Sequence, residues 1–171
     1  MDTQSTQAPA TPPVIRREDY RPPDWLVPHV SLAFDLGAAE TRVVARLTLT
    51  RNGAHDRPIS LDGDGLVLKS VALDGAVLGV GDFSRDGDAL LIPASGDNHI
   101  VETEVVIAPE KNTQLMGLYA SGGLLCTQCE PEGFRRITFF PDRPRDQREE
   151  VARLGEGIDP ARPVAAAVEI A

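Results

Sequence analysis

Two cysteines stand three residues apart, at Cys126 and Cys129, with Gln128, Glu130 and Glu132 between and after them. Thiols at this spacing serve two chemistries. A structural zinc site takes four ligands, drawn from two such pairs or from one pair and histidines at fixed spacing. A redox couple sits at the start of a helix that follows a strand. Here a single C-x-x-C occurs, and His29, His55 and His99 stand singly in strand- or turn-like surroundings. The pair is preceded by a Gly-rich stretch and followed by Pro-Glu-Gly, with no helical period. These surroundings favour cysteines that pack a loop, while metal and redox readings of Cys126 and Cys129 stay open. No histidine is followed by glutamate, so no H-E-x-x-H zinc helix is present. Two cysteines and an N-terminus without a secretory h-region indicate reduced thiols rather than a disulfide framework.

The elements that must carry this segment are written in a period of two. Val30, Leu32, Phe34 and Leu36 alternate with His29, Ser31, Ala33 and Asp35; after Gly37–Glu40, Val43, Ala45, Leu47 and Leu49 alternate with Arg42, Val44, Arg46 and Thr48. This pattern predicts two half-buried antiparallel strands joined as a hairpin. Val101, Thr103, Val105 and Ile107 alternate with Glu102 and Glu104 in a third long strand. Asn52-Gly53, Asp62-Gly63, Asp74-Gly75 and Asp86-Gly87 are turn signals about ten residues apart. Between them lie short apolar runs at Ile59–Leu61, Leu66–Leu73, Ala76–Val80 and Ala89–Ile92, and Ile137–Phe140 is expected to close the series as a strand. No helix of ten or more residues is expected before Asp142. The expected fold class is all-β, an antiparallel β-sandwich or saddle-like sheet domain.

Composition sets the remaining limits. The chain has 171 residues, 42% of them hydrophobic, enough for one domain with tails. A formal charge of −9 excludes the basic face of a general nucleic-acid or anionic-membrane binder. No apolar run approaches the roughly 20 residues that span a bilayer, and a cytoplasmic location is expected. Residues 1–15, rich in Thr, Gln, Ala and Pro, are expected to form a disordered arm. A proline-rich strap then leads into the domain at 16–144, with Tyr20 and Trp25 as packing anchors. Residues 145–154 are charged and helix-prone, and 145–171 is expected to be helical or disordered.

The run Cys126-Thr127-Gln128-Cys129-Glu130-Pro131-Glu132-Gly133-Phe134-Arg135, flanked by Gly117-Leu118-Tyr119 and Asp142-Arg143-Pro144, resembles a loop of the zinc-dependent aminopeptidase N family. That loop reaches from the family's N-terminal β-domain into the active site. The strap Arg17–Asp24 is similar to the bacterial members' lead-in, so the likeness covers roughly residues 17–143. It implies that Glu130 pairs with the free α-ammonium of a peptide substrate, with Gln128 beside it lining the pocket for the first side chain. A carboxylate held in a dry cleft discriminates in this way, because an internal amide leaves it desolvated and unpaired. It also implies an all-β fold, a peptide N-terminus as substrate, zinc in the full-length family, and a catalytic domain bearing H-E-x-x-H and G-x-M-E-N. Neither motif occurs in these residues. The expectation is therefore a chain without a catalytic or metal residue of its own, ending before that machinery and inactive by itself. Its residues 145–171 would be a non-family tail, left by truncation or a frame shift, or a differently built closing element. The alternative function is a non-catalytic all-β protein-interaction module.

Overall fold

A computed structural model describes residues 21–142, 153–154 and 165–170. Among the described residues the strands run in chain order: β1 (Trp25–Asp35), β2 (Thr41–Arg51), β3 (Ile59–Leu61), β4 (Val67–Leu73), β5 (Ala76–Val77), β6 (Ser84–Asp86), β7 (Ala89–Ile92), β8 (Asn98–Ile107), β9 (Gly117–Ser121), β10 (Leu124–Gln128), β11 (Arg153–Leu154) and β12 (Ala165–Ile170). They form a seven-stranded antiparallel sheet in the order β11-β12-β1-β2-β8-β4-β5, a three-stranded sheet β3-β7-β6 and the hairpin β9-β10. Among the described residues the helical pieces are single 3-10 turns, at Pro109–Lys111 and Phe134–Arg136. None is long and apolar enough to cross a membrane.

The β1–β2 hairpin forms where alternation predicts it, with Phe34 opposite Val43 and Leu32 opposite Ala45. Its corner is tied by Thr41, whose hydroxyl donates to the Gly37 carbonyl at 2.7 Å and accepts the Gly37 N–H at 3.1 Å. Strand β8 pairs with β2 over its full length, from Thr41 opposite Ile107 to Thr50 opposite Asn98. This register places Val43, Ala45, Leu47, Leu49, Val101 and Val105 on one face, all with no accessible surface. Ile59, Leu61, Leu90 and Ile92 of β3 and β7 complete the same core from the smaller sheet. Burial of such side chains, at about 1.5–3 kcal/mol each, is the main term that offsets chain entropy. The opposite face of the large sheet carries charge: Arg46 pairs with Glu102 at 2.8 Å, and Arg42 grips both oxygens of Glu104 at 2.7 and 2.9 Å. The hydrogen bond from Arg42 holds the Glu104 carboxyl below its ordinary range. At the tight β4–β5 turn Asp74 and Gly75 both take positive φ, 51° and 82°, the two-residue geometry that Asp-Gly favours.

Two local expectations are corrected and one strand was missed. Ile137–Phe140 is not a strand: only Phe140 bridges, to Asp62, through paired N–H···O bonds of 2.9 and 3.0 Å. Ile137, Thr138 and Phe139 are buried consecutively, which an alternating strand on one sheet face does not do. Strand β6 was not legible, because Ser84, Arg85 and Asp86 are polar and exposed. In the segment expected to be helical or disordered, Arg153–Leu154 and Ala165–Ile170 are strands, and β12 runs beside β1 with Val168 opposite Leu32. Pairing of an otherwise open edge outweighs local helix propensity there. Trp25 is buried as expected, while Tyr20 and the arm at 1–15 lie outside the described residues.

Candidate functional site

The segment that carries the predicted site residues begins with the hairpin β9–β10. Gly122 and Gly123 form its two-residue turn, at φ 58° and 82°. The ladder sets Cys126 opposite Tyr119, Thr127 opposite Leu118 and Gln128 opposite Gly117. Because residues 126–128 are extended, the Cα atoms of Cys126 and Cys129 stand about 10 Å apart at roughly 3.3 Å per residue. A disulfide needs a separation under about 7 Å, so in this conformation the two thiols do not bridge. Neither forms a disulfide, and both are half-buried. Among the described residues no group of three or more His, Cys, Asp or Glu side chains is arranged to hold a metal ion.

After β10 the chain turns sharply. The Gly133 N–H donates to the Cys129 carbonyl at 2.6 Å, and Gln128 Nε2 donates to the Glu130 carbonyl at 3.0 Å. A Cβ added to Gly133 would stand 2.9 Å from the Cys129 Cα and 3.1 Å from the Gly117 nitrogen, closer than real Cβ atoms approach or nearly so. Glycine is therefore required for the backbone to close on itself beneath Gln128. The 3-10 turn Phe134–Arg136 then seats the segment on the core. Phe134 is buried and meets Phe140 edge-on at 4.7 Å, and Phe139 is fully buried.

A charged bolt locks the far end. Asp142 is 2% exposed, and one of its oxygens accepts from the Arg135 backbone N–H at 3.0 Å and from Arg135 Nε at 3.1 Å. Arg135 Nη2 also donates to the Asp142 carbonyl at 2.6 Å and lies 3.3 Å from Glu132. Arg136 pairs with Asp64 at 2.5 Å, tying the turn to the β3–β4 loop. These roles were not legible in the sequence; the Asp142-Arg143-Pro144 signal was visible, but not its partner seven residues upstream.

The structure brings Gln128 and Glu130 together at the tip of this braced segment, both exposed. Glu130 is exposed, and among the described residues its carboxylate makes no ion pair. Beside the hairpin lies a separate open groove of about 300 Å³, lined by Ile107, Lys111, Asn112, Gln114, Leu118 and Arg136. Chemically, the tip can accept hydrogen bonds from a cation at Glu130 and offer a neutral amide at Gln128. A second constellation, invisible to sequence reasoning, surrounds Trp25, where His55, His99 and the Arg51 guanidinium lie 5.6, 5.5 and 5.1 Å from its ring.

No family model matches the chain. At the residue level it is 46% identical over 134 residues to aminopeptidase N of Caulobacter vibrioides, covering 78% of this chain and 16% of that protein. To aminopeptidase N of Escherichia coli it is 41% identical over 128 residues, covering 75% and 14%. The chain thus spans about a sixth of the length of these relatives. Among solved structures, aminopeptidase A of Legionella pneumophila in complex with aspartic acid superposes with a TM-score of 0.73 at 25% identity, over 90% of this chain and 20% of the other. The M1 zinc metallopeptidase of Deinococcus radiodurans gives a TM-score of 0.63 at 14% identity over 86% and 39%, a likeness of fold alone. With that residue identity over three-quarters of its length, and with that fold, the chain belongs to the aminopeptidase N family and matches its all-β N-terminal domain.

Proposed function

We propose that this domain anchors the amino terminus of a peptide substrate in a zinc metalloaminopeptidase, with Glu130 receiving the α-ammonium and Gln128 bordering the first side chain. The observation that carries this reading is the exposed Glu130 on a tip braced from both sides, by Gly133 under Gln128 and by the Arg135–Asp142 bolt. A recognition group needs such bracing, because a carboxylate that wanders by an ångström loses the bond it is meant to make. In this chain alone Glu130 is solvated, so the dry surroundings that make pairing selective must come from the rest of a longer enzyme. The described residues offer no donor set that fits a zinc ion, so no step of the hydrolysis is assigned to them, and the chain by itself is proposed to be inactive. A cytoplasmic setting is proposed as well.

The test joins the whole chain ahead of a family catalytic domain. Glu130→Gln removes a charge-assisted hydrogen bond of roughly 1.5–3 kcal/mol, so kcat/KM for free-amino peptides should fall by about one to two powers of ten. For an amino-blocked peptide, which has no ammonium to lose, the two enzymes should be equally poor. Asp88→Asn, at an exposed acid of the β6–β7 turn, controls for net charge and should change nothing. An unchanged kcat/KM in Glu130→Gln would leave the acid a solvated loop residue and favour an interaction module.

A further inference from the structure

The strap Pro23-Asp24-Trp25 is held to the loop after β2 by a set of bonds that only one form of His55 can complete. Asn52 donates its backbone N–H to the Asp24 carbonyl at 2.8 Å and its Nδ2 to the Pro23 carbonyl at 2.8 Å. Trp25 Nε1 donates to the Arg57 carbonyl at 3.3 Å, and Arg57 pairs with the Asp24 carboxylate at 2.5 Å. His55 stands in the middle. Its Nε2 lies 2.7 Å from the Asp24 carbonyl, and its Nδ1 lies 3.2 Å from the Arg57 backbone nitrogen. A carbonyl only accepts and a backbone N–H only donates, so Nε2 must carry the proton and Nδ1 must be bare. The two contacts together fit the neutral Nε2–H ring and no other.

We propose that His55 is a proton-operated latch on the strap by which the chain enters the domain. A second proton, on Nδ1, turns an acceptor into a donor aimed at the Arg57 N–H and cancels that bond. It also creates a cation between two others, because Arg57 follows on the same loop and Arg51 of β2 donates to the His55 carbonyl. The acids nearby are engaged: Asp24 with Arg57, and Asp97 with Arg51 at 3.3 Å, while Asp56 neighbours His55 in the chain. Across Trp25 lies His99 of β8, whose Nδ1 faces the Asp74 carboxylate at 2.7 Å. That ring already points its Nδ1 at an anion, so an added charge is matched there and His99 is not the latch. Of the side-chain types gathered here, only imidazole has an ordinary pKa that brings a change of charge between about pH 5 and 8. The hold is complete with His55 neutral and is weakened as pH falls.

The chain carries its own reporters. Trp25 is the only tryptophan, and the Asn52 amide bonds directly to the strap. In the unmodified chain, the exchange protection of the Asn52 amide, corrected for intrinsic rate, should fall about tenfold between roughly pH 7.5 and 5.5, as for loss of one hydrogen bond. Trp25 fluorescence should change over the same interval. In His55→Gln, whose amide can still donate to the Asp24 carbonyl but does not ionise, both steps should vanish; in His99→Gln both should remain. Ring nitrogen NMR of the unmodified chain should show the Nε2–H form of His55 at pH 7.5, titrating together with the Asn52 step. A flat Asn52 profile, a step that survives in His55→Gln, or a step that tracks another histidine would each overturn the latch.

Discussion

Asp74 shows how much a single turn residue can be asked to do. It closes the β4–β5 turn at positive φ, and its two carboxylate oxygens accept the Ile100 N–H and His99 Nδ1, each at 2.7 Å. The backbone bond to Ile100 is the larger cause, and His99 the second, of a carboxyl held below its ordinary value of 3.8. A group whose folded-state pKa is depressed adds stability above its unfolded value, and that stability is lost as pH falls through the folded one. Asp74→Asn keeps a residue that tolerates positive φ and removes only the charge. Because the side chain is half exposed, the expected loss at pH 7 is about 1 kcal/mol after solvent screening. Urea unfolding should show the gap between the variant and the unmodified chain shrinking as pH falls from about 4 through the depressed folded-state value, below which both lack the charge. A difference that does not shrink as the solution is made more acid would mean that shape, and not charge, matters at this turn.

At the scale of the strand, β8 separates two faces within single residues. Val105 has no accessible surface, and its neighbour Glu104 stands on the outer face against Arg42. Val105→Asp places an unpaired carboxylate in the core, between Val43 of β2 and Leu68 of β4, at a cost of several kcal/mol against a total stability of about 5–15. The expected outcome is an unfolded chain by circular dichroism at 25 °C. Glu104→Asp shortens the reach to Arg42 on an exposed face and should change stability by no more than about 0.5 kcal/mol. Equal tolerance at the two positions would mean that β8 is in the opposite phase. The hairpin β9–β10 obeys a different logic. It belongs to neither large sheet, and its place is set by the segment C-terminal to it, through the buried Phe134, Ile137 and Phe139 and the Arg135–Asp142 bolt.

Across the whole molecule, the long sheet has two different ends. On one side β5 is two residues long, and Val77 within it and Val80 just after it are exposed. On the other, β12 covers six residues of β1, from Val30 opposite Ile170 to Asp35 opposite Ala165. A chain ending at residue 160 would leave the outer hydrogen-bonding groups of β1 unpaired over that stretch, an open template for another strand. Such a chain should unfold at lower urea concentration than the full one and sediment as oligomers at concentrations where the full chain does not. A shortened chain of unchanged stability and size would show that β12 adds nothing to β1.

The alternation of Val43–Leu49 and Val101–Ile107 determined by itself that these are strands and which side chains face inward. A period of two leaves only one way to bury every apolar residue. Asn52-Gly53, Asp74-Gly75 and Asp86-Gly87 marked turns for an equally local reason, the tolerance of glycine for positive φ, whereas Asp62-Gly63 is no turn, because Asp62 bridges Phe140. The run Cys126–Arg135 likewise carried the family likeness and the choice of Gln128 and Glu130 without any coordinates. Tertiary structure alone decided what braces that tip, because the contacts of Gly133 with Gly117, of Arg136 with Asp64 and of Phe139 with the core join residues far apart in the chain. It alone decided that Arg153–Leu154 and Ala165–Ile170 are strands, since an open edge on β1 is a property of the assembled sheet and of no local stretch. It alone gathered His55, His99 and Arg51 around Trp25. Each reads singly as an unremarkable polar residue, and their chemistry exists only once four separate segments have met.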